Sequence, residues 1–268
     1  MLREYIKTNR NYCDIDKCFN SGQSFVWNKI NDSWYGFMHG IPAIVTQTDT
    51  EIIIDSDVDF DHFKKYLDLE TDYSGMFDTD QLNSTELQYV QKGKGIRILR
   101  EDLFETLMTA VLTPRQTMGQ TNRILNRLKQ DFGEAHDLNG VIMYSFPTLQ
   151  SLKNISIEQC NFYGMGYRSK YFKGIIDYLV EYPDTLEKIK KSDHFDAKMR
   201  LKQLNGVGDK VAECVCLFAL HHLDAFPIDT HIQQLMNTGQ FNVSKYHPYE
   251  GVMHQYMYYT KAILKERI

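Results

Sequence analysis

The chain changes its hydrophobic period once, and that change constrains the fold more than any single motif. Between residues 25 and 54 it offers four short runs rich in aromatic and β-branched residues: FVW, WYGFM, IPAIV and EIII. They are separated by Asn31-Asp32, His39-Gly40 and Thr48-Asp49-Thr50, which are turn formers. After about residue 84, apolar residues recur three and four apart. Leu103, Phe104, Leu107, Met108 and Val111 set the pattern from Leu99 onward, and Ile124, Leu125, Leu128 and Phe132 carry it to a stop at Gly133. Strands first and helices later predict an α+β chain, with a small N-terminal antiparallel β domain over 1–83 and a larger, all-α domain over 84–268. Ser84 or Thr85 is expected to cap a helix through Val90, broken by Lys92-Gly93-Lys94-Gly95. Further helices fit 149–160, 169–181, 185–190, 195–203, 210–222, 230–237 and 249–266. No fixed-period repeat or low-complexity tract interrupts them.

Composition removes several function classes. No window of eighteen apolar residues exists, which excludes a helical membrane span. The first residues, MLREYIKTNRNYCDID, lack the apolar stretch of a signal peptide, so a cytoplasmic protein is expected. The five cysteines, Cys13, Cys18, Cys160, Cys214 and Cys216, are odd in number and scattered, which argues against a disulfide framework. The net charge of −5 argues against a nucleic-acid partner only until its distribution is read. Between Glu51 and Asp80 acids far outnumber Lys64 and Lys65. Arg115, Arg123, Arg127 and Lys129 then follow with no acid among them, as do Arg168, Lys170 and Lys173. Solvated helix faces account for any one such segment; several around one glycine hairpin suggest a phosphate backbone as partner.

That hairpin is LNGVGDKVAECVC, Leu204 to Cys216. A dinucleotide-binding G-x-G-x-x-G would need a third glycine where Val211 stands, and a strand where AKMRLKQL reads as helix. Helix, tight turn, helix is the better reading. Gly206 and Gly208 allow close backbone approach, and the N–H groups opening the next helix can hold a phosphate. VAECVCLFAL is apolar nearly all round, so this helix is interior. Lys210 sits in its first turn, where the helix dipole and partial burial both favour the neutral amine, a nucleophile. A snorkelling surface lysine is the other reading. In FPIDTHIQQLM, Asp229 reads as a helix N-cap, and a carboxylate so fixed can also stabilise positive charge developing on a sugar.

LNGVGDKVAECVC, followed nineteen residues after Lys210 by Asp229 in PIDTH, resembles the helix–hairpin–helix DNA glycosylase superfamily, and within it the 8-oxoguanine DNA glycosylase/AP lyases. SGQSFVW, GIRILREDLFETL and GMGYRSKYF are similar to family segments and stand in family order. The resemblance implies that the larger domain is a helix-hairpin-helix glycosylase domain acting as a monomer on double-stranded DNA containing a damaged base. It implies excision of oxidised guanine from a flipped nucleotide, with no metal or organic cofactor. Lys210 would attack C1′, Asp229 would stabilise the oxocarbenium-like charge, and the resulting Schiff base would lead to β-elimination. Gly22 would offer its carbonyl to the N7–H of the oxidised base. Cys214 would stack on that base, and Phe218 and Pro227 would line its pocket. His231 would contact a phosphate, and Tyr167 and Arg168 would support the orphaned opposite base. Each of these also has an ordinary structural reading.

The chain departs from the family pattern in two places. TPRQT stands where family members carry asparagines, so Arg115 or Gln116 would fill the hole left by the flipped base, and Gln120 replaces an arginine that favours opposite cytosine. In GVMHQYMYY, Tyr258 keeps a stacking position, but His254 replaces a base-reading glutamine. His254 therefore leaves open a glycosylase for another damaged base. A non-catalytic DNA-binding module is the alternative from another class, and it would need neither Lys210 nor Asp229.

Overall fold

Five strands form one antiparallel sheet in the computed structural model, which describes residues 1–57 and 59–266. They are β1 (Leu2–Lys7), β2 (Asn28–Ile30), β3 (Ser33–Met38), β4 (Ile41–Gln47) and β5 (Glu51–Ser56), in the order β1-β5-β4-β3-β2. The expected turns are real: Asn31, His39 and Gly40 all take positive φ. FVW is not a strand, and β1, which pairs with β5 from Leu2↔Ser56 to Lys7↔Glu51, replaces it as the added strand. Trp27 is instead a core residue, stacked on Phe19 at 4.2 Å and donating its indole N–H to Tyr66. Short helices α1 (Ile15–Asn20) and α2 (Phe60–Tyr66) close this core, which gathers Trp34, Val45, Ile52, Ile54 and Phe63.

Helix α3 (Ser84–Gly93) is capped by Asn83 in a capping box with Glu86, not by Ser84 or Thr85. Helices α4 (Leu103–Leu112) and α5 (Met118–Phe132) follow. The second part is not all-α: a hairpin of β6 (Ala135–Leu138) and β7 (Val141–Tyr144) intervenes, turned by Asn139-Gly140 at positive φ. The stretch 149–160 divides into α6 (Leu149–Leu152) and α7 (Ile157–Phe162), because Ser156 opens a fresh capping box with Gln159. Helices α8 (Ser169–Glu181) and α9 (Thr185–Lys190) lie where the sequence puts them. Helix α10 is His194–Leu201, α11 is Asp209–Phe218, α12 is Thr230–Met236 and α13 is Glu250–Tyr258, with a π-type turn over Tyr259–Ile263 ending what reads as one helix to 266. No described helix is long and apolar enough to cross a membrane.

Helices α4, α5, α8 and α11 share one apolar core, and α3, α12 and α13 share another with Phe241 and Tyr246. A buried glutamine ties sheet to helices. Gln23 donates to the Arg97 carbonyl at 2.9 Å and accepts from the Leu99 N–H at 2.9 Å. This clamp fixes the segment that carries Gly22.

Candidate active site

Gly206 takes φ +91°, and a Cβ there would lie 2.4 Å from Tyr171, so only glycine lets the turn between α10 and α11 close. Gly208 then occupies the N-cap of α11 without any side-chain cap, so no side chain covers the first N–H groups of the helix. Two residues on, Lys210 is half-buried and points into a cleft of about 910 Å³. Its Nζ donates to the Thr113 hydroxyl at 3.1 Å. Cys214, one turn further on the same face, is buried, and that burial pushes its thiol up despite the nearby Lys210 charge.

The opposite wall comes from the loop into α12. Asp229 is the N-cap, its Oδ1 accepting from the Ile232 N–H at 2.8 Å. The cap role expected from sequence is thus present, and Asp229 lines the same cleft as Lys210. Pro227 and Phe218 are buried beside it.

The C-terminal helix supplies the third wall. His254 is 4% exposed and lies beneath Tyr258, ring over ring at 6.2 Å and 17°. Burial, reinforced by the Lys210 charge, drives its pKa down to about 3, and the Pro227 carbonyl opposes this only in part. His254 is therefore neutral across the working pH range. Nδ1 is buried with no hydrogen-bond partner, so Nε2 carries the proton given to Pro227. Gly22, at φ +82°, sits so close to Tyr258 that a Cβ would reach its ring at 2.8 Å. Gln255, next to His254 on α13, donates to the Ser21 carbonyl at 2.8 Å and so holds Gly22 against α13.

A family model described as "8-oxoguanine DNA glycosylase, N-terminal domain" matches residues 5–107. A Saccharomyces cerevisiae N-glycosylase/DNA lyase is 31% identical over 199 residues, 69% of this chain and 53% of that protein. The Arabidopsis thaliana N-glycosylase/DNA lyase OGG1 is 31% identical over 146 residues, 53% of this chain and 40% of the relative. The chain belongs to the 8-oxoguanine DNA glycosylase family. It spans about half the length of these curated relatives or less. Its fold is also that of the Clostridium acetobutylicum 8-oxoguanine glycosylase/lyase solved with dsDNA containing cytosine opposite to 8-oxoG. The TM-score is 0.87 at 24% identity, over 99% of both chains.

In this member of the 8-oxoguanine DNA glycosylase family the remaining candidates divide. Arg115, at φ +57°, Gln116 and His231 line the cleft, and His231 meets the edge of Tyr258 at 6.2 Å. Gln120 also lines it, but its carbonyl oxygen closes the capping box of α5 with Thr117. Arg168 is not laid open for a base. It is buried, donating to the Pro114 and Met165 carbonyls, with the exposed Tyr167 ring against its guanidinium at 4.4 Å. Neither residue is part of the cleft wall. Of the basic segments, Arg115, Arg123, Arg127 and Lys170 remain exposed, whereas Lys129 turns inward and donates to the Phe25 carbonyl at 3.0 Å. The sequence reading missed Thr113, Gln23 and Gln255. Each acts through a contact with a distant segment, which no local spacing announces.

Proposed function

We propose that this chain is a DNA glycosylase with lyase activity that removes oxidised guanine, 8-oxoguanine, from duplex DNA through a Schiff base on Lys210. The observation that carries the reading is the meeting of the Lys210 amine and the capped Asp229 carboxylate in one cleft of about 910 Å³, large enough for an extruded nucleotide. The amine attacks C1′ and the base leaves with the bonding electrons. Asp229, fixed by its cap, stabilises the positive charge on the sugar. The imine that forms acidifies C2′, and β-elimination breaks the strand on the 3′ side. In this account residues 1–83 supply Gly22 and its anchor, and residues 84–268 supply the chemistry, with no metal or organic cofactor. The protein acts in the cytoplasm as a monomer.

His254 sharpens the choice of base. With its proton committed to Pro227, Nδ1 offers only a lone pair. A guanine-type edge presents N–H donors at N1 and N2, which suit it. An adenine-type edge presents an acceptor at N1 and its donor only at N6, so a lone pair set opposite N1 is left unpaired there, a cost of roughly 1–3 kcal/mol. The Gly22 carbonyl would then separate oxidised from normal guanine through N7–H. The test is a panel of duplexes, each with one lesion, incubated with borohydride. Base release and trapped complex are expected with 8-oxoguanine and not with alkylated adenine; the reverse order would overturn the reading.

A further inference from the structure

Apart from Thr106, the polar residues of helix α4 fall on one line. Glu105, Thr109 and Thr113 fall four residues apart on one face of LFETLMTAVL and its cap, and that face borders a second cavity of about 60 Å³. The cavity lies back to back with the cleft, sharing Lys210, Thr113, Cys214 and Phe218 with it. At its inner end Thr109 is 5% exposed and its hydroxyl has no hydrogen-bond partner; Oε1 of Glu105 has none either, its nearest cation being Lys129 Nζ at 3.7 Å. Two buried polar atoms without hydrogen-bond partners, beside a space with room for roughly two to four waters, make this a place that a bridging water would suit.

Lys210 must lose a proton before it can attack, and its neighbours in the cleft are poor acceptors. Burial holds the Cys214 thiol protonated and His254 resists protonation down to about pH 3. Asp229 is spent on its cap and is needed negative when the sugar becomes positive. We propose that Glu105 takes up the proton that the Lys210 ammonium sheds, by way of water held in this second cavity. The inference rests on the assignment of Lys210 as nucleophile. One N–H bond of the ammonium breaks and a cavity water receives the proton. That water passes a proton on, and an O–H bond forms on the Glu105 carboxylate. Ammonium and carboxylate thus become amine and carboxylic acid, and the water is unchanged.

The surroundings suit such an acceptor. Burial pushes Glu105 up to about 7, and Lys129 on α5, with its Nζ 3.7 Å away, pulls the other way. Lys210 faces the cavity from α11, and Asp102 and Glu101 approach from the segment before α4. Glu101, raised to about 8 chiefly by burial, accepts from the Tyr66 hydroxyl at 2.7 Å, so Tyr66 on α2 completes the set. Glu105 therefore changes charge near neutral pH, where a proton acceptor is most effective.

The test is the single-turnover rate of borohydride-trappable complex on an 8-oxoguanine duplex between about pH 5.5 and 9.5. Wild type should show a rising limb near pH 7. Glu105→Gln should lose that limb, fall on the order of 10²-fold at pH 7, and approach wild type at the alkaline end, where solvent deprotonates the lysine. Thr109→Val keeps the shape and removes the hydroxyl that holds the water. It should fall about tenfold with the same alkaline recovery. An unchanged profile in Glu105→Gln, or an equal loss at every pH in both variants, would overturn the relay. If wild type traps nothing at any pH, the nucleophile assignment itself fails, and the relay with it.

Discussion

The two sides of α11 treat most of their polar groups differently, although His222 Nε2, on a ring stacked 5.7 Å from His194, also lacks a hydrogen-bond partner. On the outer side Glu213 receives the Lys198 ammonium at 2.7 Å, the Phe226 N–H at 3.1 Å and His194 Nε2 at 2.9 Å, while His194 Nδ1 meets Asp224 at 2.9 Å. On the inner side His254 Nδ1, Thr109 Oγ1 and Glu105 Oε1 are buried without hydrogen-bond partners. A folded chain rarely leaves such atoms unpaired, because each costs about 1–3 kcal/mol. The outer network therefore reads as structure, pinning α10 and α11 to the loop that delivers Pro227 and Asp229. The inner side reads as a surface that is completed by a ligand or by water.

The strongest way to break this contrast is to cut the outer network. Glu213→Ala leaves Lys198 and His194 without their shared carboxylate and should cost about 3 kcal/mol in urea denaturation. Burial disfavours the His194 cation, but Asp224 and Glu213 outweigh it and hold its pKa above 6.5. That contribution is fully present below pH 6.5 and is lost as pH rises through the raised value. The variant should thus be hurt more at pH 6 than at pH 8; an equal loss at both would remove His194 from the network's energetics.

On the inner side, Asp229→Asn keeps the cap, since asparagine caps as well as aspartate, and removes the charge. Excision should slow on the order of 10²-fold, or about 2.7 kcal/mol, with unchanged thermal stability. Equal activity would reduce Asp229 to a cap. His254→Gln gives the smallest effect. Because the folded histidine stays neutral down to about pH 3 while the unfolded one protonates near 6.5, wild-type stability falls as pH drops below 6.5. Between pH 7 and 5 the loss attributable to His254 is about 2 kcal/mol, and Glu or Asp titration aside, His254→Gln should not show it. No limb near pH 6–7 in the wild-type excision rate should respond to this substitution, contrary to what an ordinary imidazole would give.

The sequence made the α+β order, the hairpin and the Lys210–Asp229 pair legible because each rests on local chemistry: a period, a glycine turn, a cap. It misread Arg168 and Lys129 as surface cations, because burial of an arginine or lysine depends on carbonyls supplied by distant segments, Pro114 and Phe25. FVW was misassigned since aromatic runs serve strands and cores alike, and β1 was missed because its burial pattern is almost wholly exposed. Glu105 and Thr109 look like ordinary helix residues until the fold encloses them next to Lys210.

The central claim is that one lysine carries the chemistry. Wild-type protein should be incubated with an 8-oxoguanine duplex and borohydride, digested, and the peptide bearing the sugar remnant identified by mass, alongside Lys210→Gln. The account predicts the adduct on Lys210 and no adduct in the variant. An adduct on another amine, or a Lys210→Gln protein that still traps DNA, would contradict it.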